Sequence, residues 1–195
     1  MSDIDSQVRA VFRKVLKDIS VELGDEFDKN FERQAFFSRA WARRKSPTRP
    51  GGHILLDTSD LRKSIHSRIE GDSIVFYSEL PYAAIHNEGG VIKVTERMKR
   101  YFRARFYESQ GFGRRQDSEP RKTLSDGAFY AWTSKMKLNK ESEFWRVMGL
   151  MKVGSVIRIP QRQFLGNSPE VEEAVREIIE DNLTEYVNDI DFEIR

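Results

Sequence analysis

Apolar residues recur at steps of three and four from the start of the chain. Ile4, Val8, Val11, Phe12, Val15, Ile19, Leu23, Phe27 and Phe31 share one stripe, and charged residues fill the other face. That period is helical and predicts one long amphipathic N-terminal helix. Gly24 is its weak point, a place for a bend or an end. A second helical piece is expected from Phe31 to Trp41. Such a stripe is far more often core than partner site, but it is longer than one small sheet can cover, which leaves room for part of it to face another subunit. Ser46-Pro47-Thr48-Arg49-Pro50-Gly51-Gly52 then breaks any helix and reads as a loop.

Beyond the loop and the short apolar segment Ile54-Leu55-Leu56, Thr58-Ser59-Asp60 reads as a helix cap leading into Leu61 to Ile65. The period then changes to two. Ile65, Ser67 and Ile69 alternate with His66 and Arg68, Glu70-Gly71-Asp72 supplies a turn, and Ile74 to Tyr77 form a β-branched and aromatic run. This predicts an antiparallel hairpin. Tyr82 to His86 reads as a short turn or helix closed by Gly89-Gly90, and Val91 to Val94 as a third strand.

Thr95 caps a basic helix with apolar positions Met98, Tyr101, Phe102 and Phe106. Ser109 to Asp126 is polar and reads as a mobile loop. Phe129, Tyr130 and Trp132 form an aromatic cluster, and Phe144 to Met151 another short helix. Val156 to Ile159 reads as a strand stopped by Pro160. Asn167 or Ser168 caps a final helix with Pro169 in its first turn and Val171, Val175, Ile178, Leu183 and Val187 on its buried stripe. Asp191 to Ile194 alternates and is expected to add an edge strand or a contact arm.

This order predicts an α+β fold, a small antiparallel sheet packed against a long N-terminal helix and a C-terminal helix. The 195 residues fit a single domain, 1–195, carrying a helical insertion at about 93–155.

Composition narrows the chemistry. With no cysteine, disulfides, thiolate metal sites and a Cys nucleophile are excluded. No apolar run approaches the ~20 residues that span a bilayer. The first residues, Met1 to Asp5, lack the basic start and apolar stretch of a signal peptide, so secretion by the standard route is not expected. Of the three histidines, His53, His66 and His86, none has a second His at metal-binding spacing, and His86 with Glu88 falls short of a ligand set. There is no phosphate loop, since Gly111-Phe112-Gly113 lacks the following Gly-Lys-Ser/Thr, and there is no serine elbow. The reading is therefore no catalytic residue, no cofactor and no metal.

The net charge is only +2, but it is unevenly spread. Arg39 to Arg49 holds five basic residues and no acidic one, and Lys93 to Arg115 eight basic against Glu96 and Glu108. Glu170 to Arg195 holds ten acidic residues against Arg176 and Arg195. Such a chain can attract copies of itself, or place its basic segments, 39–49 and 93–115, on DNA without sequence preference. Arginines alternate with aromatics from Lys99 to Tyr107, as nucleic-acid platforms require, yet at helical spacing the same residues sort into an ordinary amphipathic helix.

Three short pieces, in order, resemble the phage virion morphogenesis proteins, including the tail-completion proteins of Mu-like and P2-like phages. The first is Leu55 to Ile65, where the family has Leu, then Thr-Gly, then Leu-Arg-x-Ser-Ile, here Leu61, Arg62, Ser64 and Ile65. The second is Tyr82-Ala83-Ala84-Ile85-His86-Asn87-Glu88-Gly89-Gly90, like Tyr-Ala-x-Ile-His-x-x-Gly-Gly. The third is Ile159-Pro160-Gln161-Arg162-Gln163-Phe164-Leu165-Gly166, like Ile-Pro-x-Arg-x-Phe-Leu-Gly, followed by a final acidic helix. Ser59 stands where Gly is usual, so that turn is not expected to need a left-handed backbone. Lys93 to Ser155 has no residue-by-residue counterpart.

The resemblance implies a structural part of the virion, made in the host cytoplasm and used at the tail or the head–tail neck. Its expected partners are copies of itself in a ring and other tail or neck proteins. Candidate subunit contacts are Lys99, Arg100, Phe102, Arg103 and Phe106 of the basic stretch, facing Glu172, Glu173 and Glu180 of a neighbour. His86 is expected to make a fixed hydrogen bond, and Phe164 and Leu165 to fill the core against the sheet and the N-terminal helix.

Overall fold

The computed structural model describes residues 2–49, 51–112 and 124–193. In chain order the elements are α1 (Ser2–Arg33), β1 (Ala35–Phe36), β2 (Arg39–Ala40), α2 (Asp60–Lys63), β3 (Ile65–Glu70), β4 (Ser73–Ser78), α3 (Ala83–Glu88), β5 (Gly90–Lys93), α4 (Glu96–Ser109), α5 (Asp126–Thr133), α6 (Lys140–Leu150), β6 (Val156–Ile159) and α7 (Pro169–Glu193). The class is α+β, as expected. Among the described residues, however, the strands form three two-stranded antiparallel sheets, not one: β1–β2, β3–β4 and β5–β6.

The chain divides into two compact units. Met1–Ala42, His53–Gly89 and Pro160–Arg195 form the first, and Arg43–Gly52 with Gly90–Ile159 the second. The stretch expected as an insertion, about 93–155, lies inside the second unit.

In the first unit, α1 runs unbroken through Gly24, because Leu23 and Phe27 on either side are buried. Burying two such side chains outweighs the cost of about 1 kcal/mol for one helical glycine. The expected second helix from Phe31 to Trp41 does not form. After Arg33 the backbone turns left-handed at Gln34 (φ 54°) and again at Phe37 (φ 49°). Between them β1 folds back on β2, Asn30 Oδ1 accepts from the Phe37 amide at 2.9 Å, and Trp41 N donates to Gln34 O at 2.9 Å. Phe36 and Trp41 are buried all the same, so their apolar spacing reflects burial rather than a helix.

The hairpin is as predicted. β3 pairs with β4 from Ile65↔Ser78 to Glu70↔Ser73, and Gly71 takes φ 59° at the first turn position, where a two-residue hairpin turn favours glycine. The core joins Val15, Ile19, Leu23, Phe27 and Phe31 of α1 to Leu61, Ala83, Phe164, Leu165, Val171 and Ile178. Leu183 and Val187, expected on the buried stripe of the last helix, are instead exposed, because the described apolar side chains of that helix that pack on the core stop at Ile179. α7 starts on the Ser168 hydroxyl, which accepts from Val171 N at 3.3 Å. It continues as helix to Glu193, so 191–193 are not the expected edge strand, and Ile194 lies outside the described residues.

In the second unit, the strand expected at 91–94 pairs with β6, from Gly90↔Ile159 to Lys93↔Val156, and not with the hairpin. Thr95, Ser125 and Asn139 cap α4, α5 and α6 through their side-chain oxygens. Val94, Phe102, Phe106, Phe129 and Trp145 form this unit's own core. Of the loop expected from Ser109 to Asp126, the part 113–123 lies outside the described residues.

Candidate functional site

The first motif is fastened to α1. Leu61 is buried, and Arg62 forks onto the Asp28 carboxylate, with a further bond to Glu32 at 2.7 Å. The hydrogen bond from Arg62 holds the Asp28 carboxyl below its usual range, and the same bond raises the guanidinium. Ser64 Oγ donates to Leu61 O at 2.8 Å and lies 2.7 Å from Ser78 Oγ, tying α2 to the end of β4. Ser59, in the place of the family glycine, does adopt the left-handed conformation (φ 63°, ψ 10°), and its side chain caps nothing. The expectation that serine would release this turn from a left-handed backbone is thus corrected. The left-handed residue leads directly into α2, whose Leu61 is buried.

The second and third motifs close on each other through residues 77 apart in the chain. Asn87 Oδ1 accepts from the Phe164 and Leu165 amides at 2.9 and 3.0 Å. Arg162 N donates to His86 O at 2.8 Å. Gly89 (φ 74°) lies so close to this segment that a Cβ there would sit 2.8 Å from Gln161 N. Only glycine combines that φ with that approach. The Arg162 side chain reaches Ala42 O through Nε at 3.0 Å, and Trp41 Nε1 donates to Gln163 O at 2.6 Å. The segment 161–165 is therefore held from both sides, and Phe164 enters the core against Phe31, ring centroids 5.4 Å apart. Phe164 and Leu165 fill the core with α1, as expected, alongside Ile74 and Phe76 of the hairpin.

His86 departs from its expected role. The ring packs edge-on to Tyr82 at 6.1 Å, and Nδ1 is buried with no hydrogen-bond partner. The fixed bond is made by its carbonyl. Burial, with the Arg162 charge nearby, pushes the imidazole below its ordinary range. Asn87, Trp41 and Asp28 complete this arrangement and were not singled out from sequence. An Asn between His and Glu carries no periodic signal. Its position inside the family piece was the one available hint.

The expected subunit contacts fare differently. In the basic stretch, Lys99, Phe102, Arg103 and Phe106 are buried in the second unit's own core. Lys99 Nζ and Arg103 Nη2 both hold Asp126, at 2.6 and 2.5 Å, and this pairing lowers the Asp126 carboxyl. Arg103 also donates to the Leu124 and Gly149 carbonyls and lies 4.7 Å over the Phe129 ring. These four side chains are occupied within their own unit and offer no surface to a neighbour. Arg100 stays exposed, and Glu172, Glu173 and Glu180 lie on α7.

Among the described residues no group of three or more His, Cys, Asp or Glu side chains gathers as a metal site does. No helix among them is long and apolar enough to cross a membrane.

The model of the phage virion morphogenesis family matches residues 4–115, more than half of the 195-residue chain. The chain belongs to the phage virion morphogenesis family. No curated protein and no solved structure matches it. Family membership gives the chain a structural, virion-associated role in phage assembly. The matched residues contain the first two motifs. The third lies beyond them, yet the fold seats it on the second through Asn87 and Gly89.

Proposed function

We propose that this virion morphogenesis protein is a non-enzymatic part that completes the tail or the head–tail neck, acting as several copies around the particle axis. The observation that carries the reading is that the three family motifs are used inside the fold, the first on α1 and the second and third on each other. Arg62 locks to α1, Asn87 and Gly89 hold the 161–165 segment, and Phe164 fills the core. A motif serving catalysis would instead direct a base or nucleophile toward a substrate. A tail tube and a portal are cyclic, so a small closing part is most simply repeated around the same axis.

The test is genetic. A phage lacking this gene is expected to give filled heads with tails that are malformed or unjoined under the electron microscope. Complete infectious virions without the gene would overturn the reading.

A second reading has one observation behind it. Of 33 basic and 31 acidic residues, the second unit holds 20 and 7, a net of +13, which leaves 13 and 24, a net of −11, in the first. Under this reading the second unit rests on DNA through phosphate contacts without reading sequence.

A further inference from the structure

Two apolar grooves meet on the first unit. One, of about 500 Å³, is lined by Phe12, Leu16, Ile19, Phe76, Val175 and Ile179 among others. The second shares Phe12, Leu16 and Asp72 with it and continues along α1 past Val8 to Ile69 at the hairpin end. This is where α1 outruns its core. Among its described side chains the buried positions begin at Val15, whereas Val8 and Phe12 on the same stripe are 55% and 45% exposed. The rim is cationic: Arg9, Arg13 and Lys17 line the groove, and none forms an ion pair among the described residues.

The chain carries the complement of this surface on α7. Leu183 and Val187, one turn apart, are 49% and 55% exposed. Glu180, three residues before Leu183, borders the same helical face; Arg176, one turn further back, is paired with Glu173 at 2.9 Å, so Glu180 is the carboxylate this face offers. An apolar pair beside the Glu180 carboxylate matches an apolar floor with a basic rim. The chain's own α7 already forms one wall of the groove through Val171, Val175 and Ile179, with Leu183 and Val187 turned outward.

We propose that the α1 groove of one copy receives the outer face of α7 of a second copy. Leu183 and Val187 seat on Val8 and Phe12, and Glu180 meets the Arg9, Arg13 and Lys17 rim. The contact joins two different surfaces, so each copy has one of each to offer, and repetition closes a ring when the rotation divides a full turn. The apolar floor gives affinity and the charges set register and approach. The inference rests on the assembly reading for its purpose, but its test uses purified protein alone and so fails or succeeds independently of the phage experiment.

The chain contains no cysteine, so introduced thiols report cleanly. Full-length Val8→Cys protein is mixed with full-length Leu183→Cys protein under mild oxidation at about 1 mM, where even millimolar contacts are populated. Disulfide-linked heterodimer is expected to exceed either same-variant dimer by about tenfold, and Arg13→Glu in the first chain to cut its yield by about as much. Adding Glu180→Arg to the second chain is expected to restore it. Circular dichroism of each variant confirms that folding is intact, since all four positions are exposed. Absence of mixed disulfide overturns the contact. Dominant Val8–Val8 or Leu183–Leu183 linkage replaces it with a two-fold arrangement and overturns it too. Loss with Arg13→Glu that Glu180→Arg does not restore removes α7 as the occupant.

Discussion

At the scale of single residues, two positions carry a cost that can be measured. Ser59 sits left-handed with a side chain that caps nothing. An L side chain there costs roughly 1–2 kcal/mol, partly offset by the greater unfolded-state freedom of glycine. Ser59→Gly is therefore expected to stabilise the protein by about 0.5–1 kcal/mol, read as a higher urea midpoint at unchanged slope. Burial of His86 lowers its pKa below the ordinary 6.5. The unfolded state then binds the proton more readily than the folded one. The stabilisation is complete above the unfolded pKa and is lost as pH falls through it toward the folded pKa. Denaturant midpoints are expected to drop from about pH 7.5 to about pH 5, and His86→Gln to flatten that decline. An unchanged pH slope in the variant would place the responsible group elsewhere.

Among elements, the 161–165 segment links the most distant parts of the sequence. It has no regular secondary structure, yet Phe164 is fully buried between α1 and the start of α7. Phe164→Ala is expected to lower stability by about 3–5 kcal/mol, as large core truncations do. Thermal unfolding at the wild-type temperature would refute the placement. Helices, hairpin and caps were legible here. α1, α4, α6 and α7 follow from apolar period and capping residues, and the β3–β4 hairpin from a change to period two around a Gly turn. The β1–β2 turn was not legible. Its left-handed Gln34 and Phe37 are residue types with no preference for that backbone, and it is Asn30 and the burial of Phe36 that hold them there.

For the whole molecule, the separation of charge between units is the dominant electrostatic feature, +13 against −11. If the second unit meets DNA, affinity for random duplex is expected to fall steeply with salt, because each phosphate contact releases a counterion. Titration of fluorescent duplex across a series of salt concentrations gives the slope. A slope near zero removes the DNA reading and leaves the basic unit to attract acidic protein. Tight sequence-specific binding at physiological salt would instead displace the assembly reading.

The sequence by itself determined the elements whose signal is local. A helix needs one face, a hairpin one alternation and one turn, and a cap one side chain, all within a few residues. It also determined the family, because three spaced pieces in fixed order survive as text. Which elements share a sheet was decided only by tertiary structure: β5 could have joined the hairpin and instead pairs with β6, 63 residues after its own end. So was the use of each charge. Arg103 and Arg100 look alike in the sequence, yet one is buried on Asp126 and the other faces solvent. Asn87 gained its role in the same way, from two amides that come within reach once α3 and the 161–165 segment meet. Such pairings depend on distances between residues remote in the chain, and local periodicity holds no record of them.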